Sequence, residues 1–340
     1  MKTSFNNPGT TQGRRVLLTG AAGFIGSHTA EQLIFSGHEV IGLDNLSTGH
    51  RSNLANVIGH ESFELIIGDV LDSEFVDSIC KNFRPDAIIH LAGLVSVVVA
   101  QEDTAKNFQL NVQATQVIAE NARKNHIKRV VFSSSASVYG DTTEYLINES
   151  CPTRPIGMYG AAKLASENLL AGYASSYGME TVCLRYFNVY GDRQDPKSPY
   201  SGVISIFLDR FSNHSPVTIF GDGEQTRDFI SVRDVARANR LAATAESVKS
   251  GSLNVCTGKC ISINDLAEIF QSFYRGAPDP GYADQRPGEI LHSCGNGGFA
   301  SMALGFDPNV SIRDGLADLV AVQDLEEALK TEAFQPAVIA

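Results

Sequence analysis

Val16-Leu17-Leu18-Thr19-Gly20-Ala21-Ala22-Gly23-Phe24-Ile25-Gly26 sets the fold class of this chain. A short apolar run ends in Thr19-Gly20, and a helical pattern carrying Phe24, Ile25, Leu33 and Ile34 follows. Between them Gly20, Gly23 and Gly26 stand in the spacing GxxGxxG. A strand that turns on glycine into a helix brings the backbone close to a pyrophosphate, whose charge then meets the helix N-terminus. Alone, the pattern is weak, and its surroundings strengthen it. Positions 39–43 predict a second strand, and Asp44 ends it. A carboxylate there can accept from the 2′-hydroxyl of an adenosine ribose and repels a 2′-phosphate, which selects NAD over NADP. Its structural alternative is to cap a turn with Asn45.

Outward from that stretch, strand-like and helix-like segments alternate. Phe63–Ile67 predicts a strand, Ser73–Phe83 a helix and positions 87–91 a strand. One long helix is expected over 104–125, a strand over 129–134, a helix from Tyr159 to about Tyr177 and a strand over 181–186. This alternation predicts a Rossmann-type α/β fold, a doubly wound parallel sheet with helices on both faces. In Gly68-Asp69-Val70, Asp69 can reach an adenine edge or cap the helix that follows. Beyond 190 the pattern loosens into turn-rich stretches at 191–201, 215–223, 276–288 and 295–298. A smaller α/β substrate-binding lobe is therefore expected from 190–230 and 257–330. The nucleotide-binding domain would take 14–189 and interleaved segments near 231–256, with tails at 1–13 and 331–340.

Composition bounds the possible partners. The 340 residues carry a formal net charge of −11. Such an acidic chain lacks the basic face that wrapping nucleic acid requires. Six cysteines, Cys80, Cys151, Cys183, Cys256, Cys260 and Cys294, are scattered without the density of a disulfide framework or the pairing of a zinc site. Buried thiols in a reducing compartment and no metal are the expectation. The residues up to Arg15 are polar, with no signal-peptide core. The most apolar stretch, 87–100, is too short and too interrupted by His90, Gly93 and Ser96 to span a bilayer. A cytoplasmic protein without membrane contact follows.

Tyr159-Gly160-Ala161-Ala162-Lys163 carries the chemistry. On a helix, positions i and i+4 share a face. A phenol is a poor base at neutral pH. An ammonium beside it favours the phenolate, as does a positive nicotinamide ring. The fifth strand ends in Ser133-Ser134-Ser135, at the sheet edge where ligands bind. A hydroxyl there can hold a substrate oxygen beside the phenolate.

Together these features resemble the extended short-chain dehydrogenase/reductases, and within them the UDP-hexose 4-epimerases. The similarity runs from Val16 to about Leu329, through Phe132-Ser-Ser-Ser-Ala-Ser-Val-Tyr-Gly140, Leu184-Arg-Tyr-Phe-Asn-Val-Tyr-Gly191, Gly221-Asp-Gly-Glu-Gln-Thr-Arg-Asp-Phe229 and Arg286-Pro-Gly-Glu289. The resemblance implies a catalytic set of Ser135, Tyr159 and Lys163. It implies NAD held by Gly20, Gly23, Phe24, Ile25, Gly26, Asp44, Asn45, Ser47, Thr48, Gly49, Asp69 and Val70 on the adenosine side. Leu91, Ala92, Gly93, Asn111, Tyr159, Lys163 and Phe187 would complete the cofactor site. For the UDP-sugar it implies Ser96, Ser133, Ser135, Asn188, Val203, Ile219, Arg227, Arg286, Glu289 and Ser293. Guanidinium forks suit diphosphate oxygens; the structural alternative for Arg227 and Arg286 is surface salt bridging. A homodimer through helices near 104–124 and 157–177 is implied by the same analogy.

The resemblance also bears on the reaction. Dehydratases of this type carry an Asp-Glu pair just after the catalytic Ser/Thr, and decarboxylases a Glu at the second position. This chain has Ala136 and Ser137 there. Simple C4 epimerisation through a transient 4-keto sugar follows, with NAD regenerated in each cycle. Ser293 stands where a bulky residue would exclude an N-acetyl group, which favours UDP-GlcNAc/UDP-GalNAc alongside UDP-Glc/UDP-Gal. The chain departs from its relatives at Val95, Val99 and Gly295-Asn296, where lysine, a basic residue and Ala-Asp occur. Two other readings stand beside this one: another nucleotide-sugar-modifying enzyme of the same scaffold, and a non-catalytic NAD-binding regulator.

Overall fold

The computed structural model describes residues 13–194, 202–285 and 290–333. The chain opens with β1 (Arg15–Thr19), α1 (Phe24–Ile34), β2 (Glu39–Asp44), β3 (Phe63–Ile67), α2 (Ser73–Phe83) and β4 (Ala87–His90). Next come α3 (Val97–Glu102), α4 (Thr104–Asn107), α5 (Ala114–Lys124), β5 (Arg129–Ser135), α6 (Met158–Tyr177) and β6 (Glu180–Tyr186). β7 (Asn188–Tyr190), α7 (Val203–Ser212), β8 (Thr218–Phe220), β9 (Thr226–Ser231), α8 (Val232–Thr244) and β10 (Gly251–Val255) follow. The described chain closes with β11 (Cys260–Ser262), α9 (Ile263–Phe273), β12 (Gly281–Ala283), β13 (His292–Ser293), α10 (Gly298–Leu304) and α11 (Ile312–Ala333).

A seven-stranded parallel sheet in the order β10-β6-β5-β4-β1-β2-β3 forms the main layer. Its strands read as continuous apolar runs because both faces are covered. Leu18, Ile89 and Val131 face α1 and α8, packing with Leu33, Ala238 and Ala242. Leu17, Ile88 and Val130 alternate to the other face and pack with Val76, Ile118 and Leu170 of α2, α5 and α6. The strand order reverses between β1 and β4, which opens a crevice at the carboxyl ends of those strands.

The second sheet is built around β9. It runs parallel to β7 and β13 and antiparallel to β11. β8 and β12 pair separately, in parallel. A third core fills this lobe, with Phe207 and Phe211 of α7 against Phe270 of α9. The rings of Phe211 and Phe270 stack with centroids 5.7 Å apart. Between β9 and β11 the chain returns to the main layer through α8 and β10. Buried Arg129 on β5 fastens that return by donating to the carbonyls of Ala242, Ala243 and Ala245 and to Glu180. Those carbonyls lie at the end of α8, where helical partners run out.

Local details differ from the sequence expectations. The expected helix over 104–125 contains a π-helical turn at Phe108–Gln113. The Asn111 carbonyl there accepts from the hydroxyls of both Thr115 and Ser166. Val97-Val98-Val99 starts helix α3, which Ser96 caps by accepting from the Val99 amide. Asp72, not Asp69, caps α2, because its carboxylate accepts from the Phe75 amide. Helix α11 continues past Lys330 to Ala333, where a tail is expected. Cys260 and Cys294 are disulfide-bonded, so not every cysteine is a free thiol. β11 and β13 both flank β9, and this brings the two Cα atoms to 5.6 Å across a sequence separation of 34. The other four cysteines are buried free thiols.

Candidate active site

The glycine turn is as tight as its sequence suggests. Gly20 sits at φ +70°, and a Cβ on it would lie 2.8 Å from the Ala92 amide nitrogen. A Cβ on Gly26 would enter the carbonyl oxygen of Gly20. α1 starts at Gly23 without any side-chain cap, so its first amides face the crevice undecorated. Asp44 is buried, accepting from the Ala22 amide at 2.9 Å and the Leu46 amide at 2.8 Å. The turn-capping duty considered for Asp44 is therefore present, and it ties the second strand to the glycine turn. Asn45 donates to Asp69, and its own Oδ1 accepts from the Ser47 amide. Ser47 and Thr48 are exposed, and Gly49 packs against Ala22, where a Cβ would come within 2.8 Å of its carbonyl carbon. Asp69 accepts from the Leu71 amide, and Val70 is buried beside it. Phe24 and Ile25 are half-buried at the first turn of α1.

At the end of β4, Leu91, Ala92 and Gly93 are half-buried. A Cβ on Gly93 would lie 2.7 Å from Oδ1 of Asn111, which is buried and has no hydrogen-bond partner there. His90 and Thr19 join this edge although the sequence did not single them out as a pair. The Thr19 hydroxyl hydrogen-bonds His90 Nδ1 at 2.8 Å and accepts from the Ala92 amide. Burial, helped by the charge of Lys163, holds the His90 pKa down to about 3, so the ring is neutral. Their signal was legible: each is a polar residue that ends its strand directly after an apolar run.

Tyr159 and Lys163 lie one turn apart on α6, over the end of β5. Lys163 is buried, and its Nζ donates to the Ser133 carbonyl at 2.9 Å. The ammonium sits 4.9 Å from the Phe132 ring centroid and 5.7 Å from that of Tyr159. Burial pulls the Lys163 pKa down to about 8. The Tyr159 phenol is pushed up to about 12 by burial, against which a hydrogen bond from Ser135 works. Burial works against the phenolate, and the Ser135 hydrogen bond and the Lys163 ammonium beside the ring work for it. Ser135 Oγ also accepts from the Ser137 amide. The arrangement amounts to one phenol able to exchange a proton at a bound hydroxyl, steered by a serine and backed by an ammonium.

A cavity of about 610 Å³ lies in the smaller lobe, and Asn188, Val203, Ile219 and Arg227 all line it. Asn188 is half-buried, with its amide donating to the Asp228 carbonyl. Arg227 is half-buried and donates to the Thr226 carbonyl. Val203 opens α7 and Ile219 sits inside β8. Ser293 on β13 stands in register with Arg227 on β9. Ser96 and Ser133 are buried with their hydroxyls engaged: Ser96 accepts from the Val99 amide, and Ser133 donates to the His90 carbonyl. Phe187 is buried with Tyr139, Ile147 and Cys256 where the two lobes meet. Arg286 and Glu289 lie outside the described residues.

Residues 16–256 match the model of the NAD dependent epimerase/dehydratase family. The chain belongs to that family. Among the relatives of this family member, the UDP-glucose 4-epimerase of Mycolicibacterium smegmatis is 36% identical over 308 residues, covering 90% of this chain and 97% of the relative. The solved UDP-N-acetylglucosamine 4-epimerase of Methanobrevibacter ruminantium, in complex with UDP-N-acetylmuramic acid, is 36% identical with a TM-score of 0.87. That match covers 93% of this chain and 100% of the other. The UDP-glucose 4-epimerase of Thermus thermophilus, solved in complex with NAD, is 36% identical with a TM-score of 0.81, covering 90% and 98%. As a family member the chain is NAD dependent, and its uncapped helix and crowded glycine turn fit a dinucleotide. No helix among the described residues is long and apolar enough to cross a membrane.

Proposed function

We propose that this protein is a UDP-hexose 4-epimerase that accepts UDP-GlcNAc/UDP-GalNAc as well as UDP-Glc/UDP-Gal. One observation carries the redox-neutral reaction. Strand β5, which ends at Ser135, runs straight into the short turn Ala136–Val138, so neither position after Ser135 offers a carboxylate beside Tyr159. Dehydration or decarboxylation would ask for a second acid at that station, and Ala136 and Ser137 cannot supply one. In this reading Tyr159 takes the proton of the 4-hydroxyl while Ser135 orients that oxygen. The crevice at the carboxyl ends of β1 and β4 would hold NAD, which would supply the acceptor for the C4 hydride and the donor that returns it to the opposite face. Lys163, fixed on the Ser133 carbonyl, keeps positive charge beside the phenol ring. Gly20, Gly23, Gly26 and Asp44 hold the adenosine end, and Asn188 and Arg227 hold the diphosphate. The exposed Phe108 and Met158, on the helical segments 104–124 and 157–177, support pairing with a second copy.

Purified protein incubated with UDP-GlcNAc or UDP-glucose is expected to form the C4 epimer of each without accumulating reduced nicotinamide. Steady accumulation of NADH, or no epimer from either sugar, would overturn the proposal. Ser293 is the small residue to which we assign acceptance of the N-acetyl group. Ser293→Tyr is expected to lower turnover of the N-acetylated pair by about 100-fold, since a pocket clash of that size costs a few kcal/mol. UDP-glucose turnover should change by less than about threefold. Equal losses on both sugars would remove Ser293 from this role.

A further inference from the structure

A buried polar chain starts on the catalytic helix and is not used by the chemistry at Tyr159. Glu167 lies one turn beyond Lys163 on α6. Its carboxylate accepts from Ser134 Oγ, from Arg185 Nε at 2.9 Å and Nη2 at 2.6 Å, and from Ser252 Oγ at 3.0 Å. Arg185 Nη1 donates to the Tyr139 hydroxyl at 2.9 Å, which donates to Asn254 Oδ1 at 2.6 Å. Asn254 Nδ2 donates to the carbonyls of Ile147 at 2.9 Å and Asn296 at 3.4 Å. The Asn296 amide also donates to the Ile147 carbonyl, and the Ile147 amide donates to the carbonyl of Cys294, the residue after Ser293. Glu167, Arg185, Tyr139 and Asn254 are all at most 6% exposed.

This chain costs desolvation that well-packed apolar residues would avoid, so it is a poor device for stability alone. A fully satisfied buried network fixes geometry instead. Ser134, which holds Glu167, sits between Ser133, the anchor of Lys163, and Ser135, the partner of Tyr159. One end of the chain therefore registers the proton station, and the other registers the segment next to Ser293. We propose that Tyr139 and Asn254 are positioning residues that fix the sugar-facing segment 293–296 relative to Tyr159. This rests on the assignment of Ser293 to the sugar pocket made above.

Tyr139→Phe cuts the chain at its centre. The ring stays packed among Val138, Ile147, Cys151, Phe187 and Cys256, Arg185 keeps Glu167, and Asn254 keeps Ile147. Asn254→Asp is the second variant, keeping the acceptor for Tyr139 and losing the donors to Ile147 and Asn296. Hydrogen exchange of each NAD-loaded variant is followed by NMR, together with steady-state kinetics on UDP-GlcNAc and UDP-glucose. In either variant the Ile147 and Asn296 amides are expected to exchange about tenfold faster while those of β4 stay unchanged. KM should rise about fivefold or more for both sugars with kcat within about twofold. In the double variant with Ser293→Tyr, the released segment can yield to the tyrosine, so N-acetyl turnover should fall less than in Ser293→Tyr alone. Unchanged exchange at Ile147 and Asn296, or a fall in kcat at constant KM, would overturn the proposal. If Ser293→Tyr alone fails to discriminate between the sugars, the pocket assignment falls. The exchange and KM results then still decide whether the chain positions the segment.

Discussion

Tyr159→Phe is expected to retain NAD and fold normally while epimerising about 10³-fold more slowly. The loss is one oxygen atom, so the ring still packs against the Lys163 side chain. No nearby group can substitute. Lys163 Nζ is engaged with the Ser133 carbonyl, and the Ser135 hydroxyl is a far weaker base than a phenolate. Ser135→Ala should be milder, about 10- to 100-fold, because it removes an orienting hydrogen bond and leaves the proton acceptor in place. Both effects should fall mainly on kcat, with KM for the UDP-sugar little changed, since Asn188 and Arg227, proposed above to hold the diphosphate, line the cavity of the other lobe. A Tyr159→Phe protein with kcat within about tenfold of the parent would remove the phenol from its role.

Gly26→Ala is expected to cost about 3 kcal/mol of stability and to strip the protein of co-purifying NAD. The added methyl would meet the Gly20 carbonyl oxygen and lie 2.9 Å from the Ala21 Cα. Both obstacles are backbone, so no side-chain rotation relieves them, and overpacking of this kind forces the turn itself to move. The turn is the part of the crevice against which the pyrophosphate must lie. Gly172→Ala is the matched control on α6, where a Cβ meets nothing within 4 Å. There the substitution should be neutral or stabilising by about 0.5–1 kcal/mol, through helix propensity alone. Thermal melts and the nicotinamide content of the two purified proteins make the comparison. Equal melting temperatures and full NAD in Gly26→Ala would contradict the steric argument.

The main layer was legible because burial on both faces writes itself into sequence. Phe63–Ile67 and Ser73–Phe83 are found with the bounds their patterns predict, and β5 is one residue longer than expected. Tyr159 and Lys163 were legible for a similar reason, since helix spacing alone puts them on one face. What escaped depended on tertiary partners. The π-helical turn holds Asn111, whose carbonyl accepts from the Ser166 hydroxyl, 55 positions away in sequence. The Cys260–Cys294 bond follows from both strands flanking β9, which no spacing rule encodes. The burial that raises the Tyr159 pKa was not legible, because pairing along a helix is visible in sequence and depth of burial is not. The Glu167–Arg185 pair was invisible for the same reason: each half lies on a different element, and only packing joins them.

β9 passes directly into α8, with Ser231 ending the strand and capping the helix through the Arg233 amide. The strand carries Arg227, while the helix is bedded on α1 in the main core. The two lobes thus share one continuous rod at this junction, within the segments expected to interleave. Exchanging substrate preferences between relatives by cutting at 190 and pasting a foreign lobe would sever β7 from β9 and leave α8 on the wrong side of the join. A workable chimaera would have to carry β9, α8 and the docking face of α1 as one module. Point changes at the pocket wall are therefore the shorter route to a new sugar.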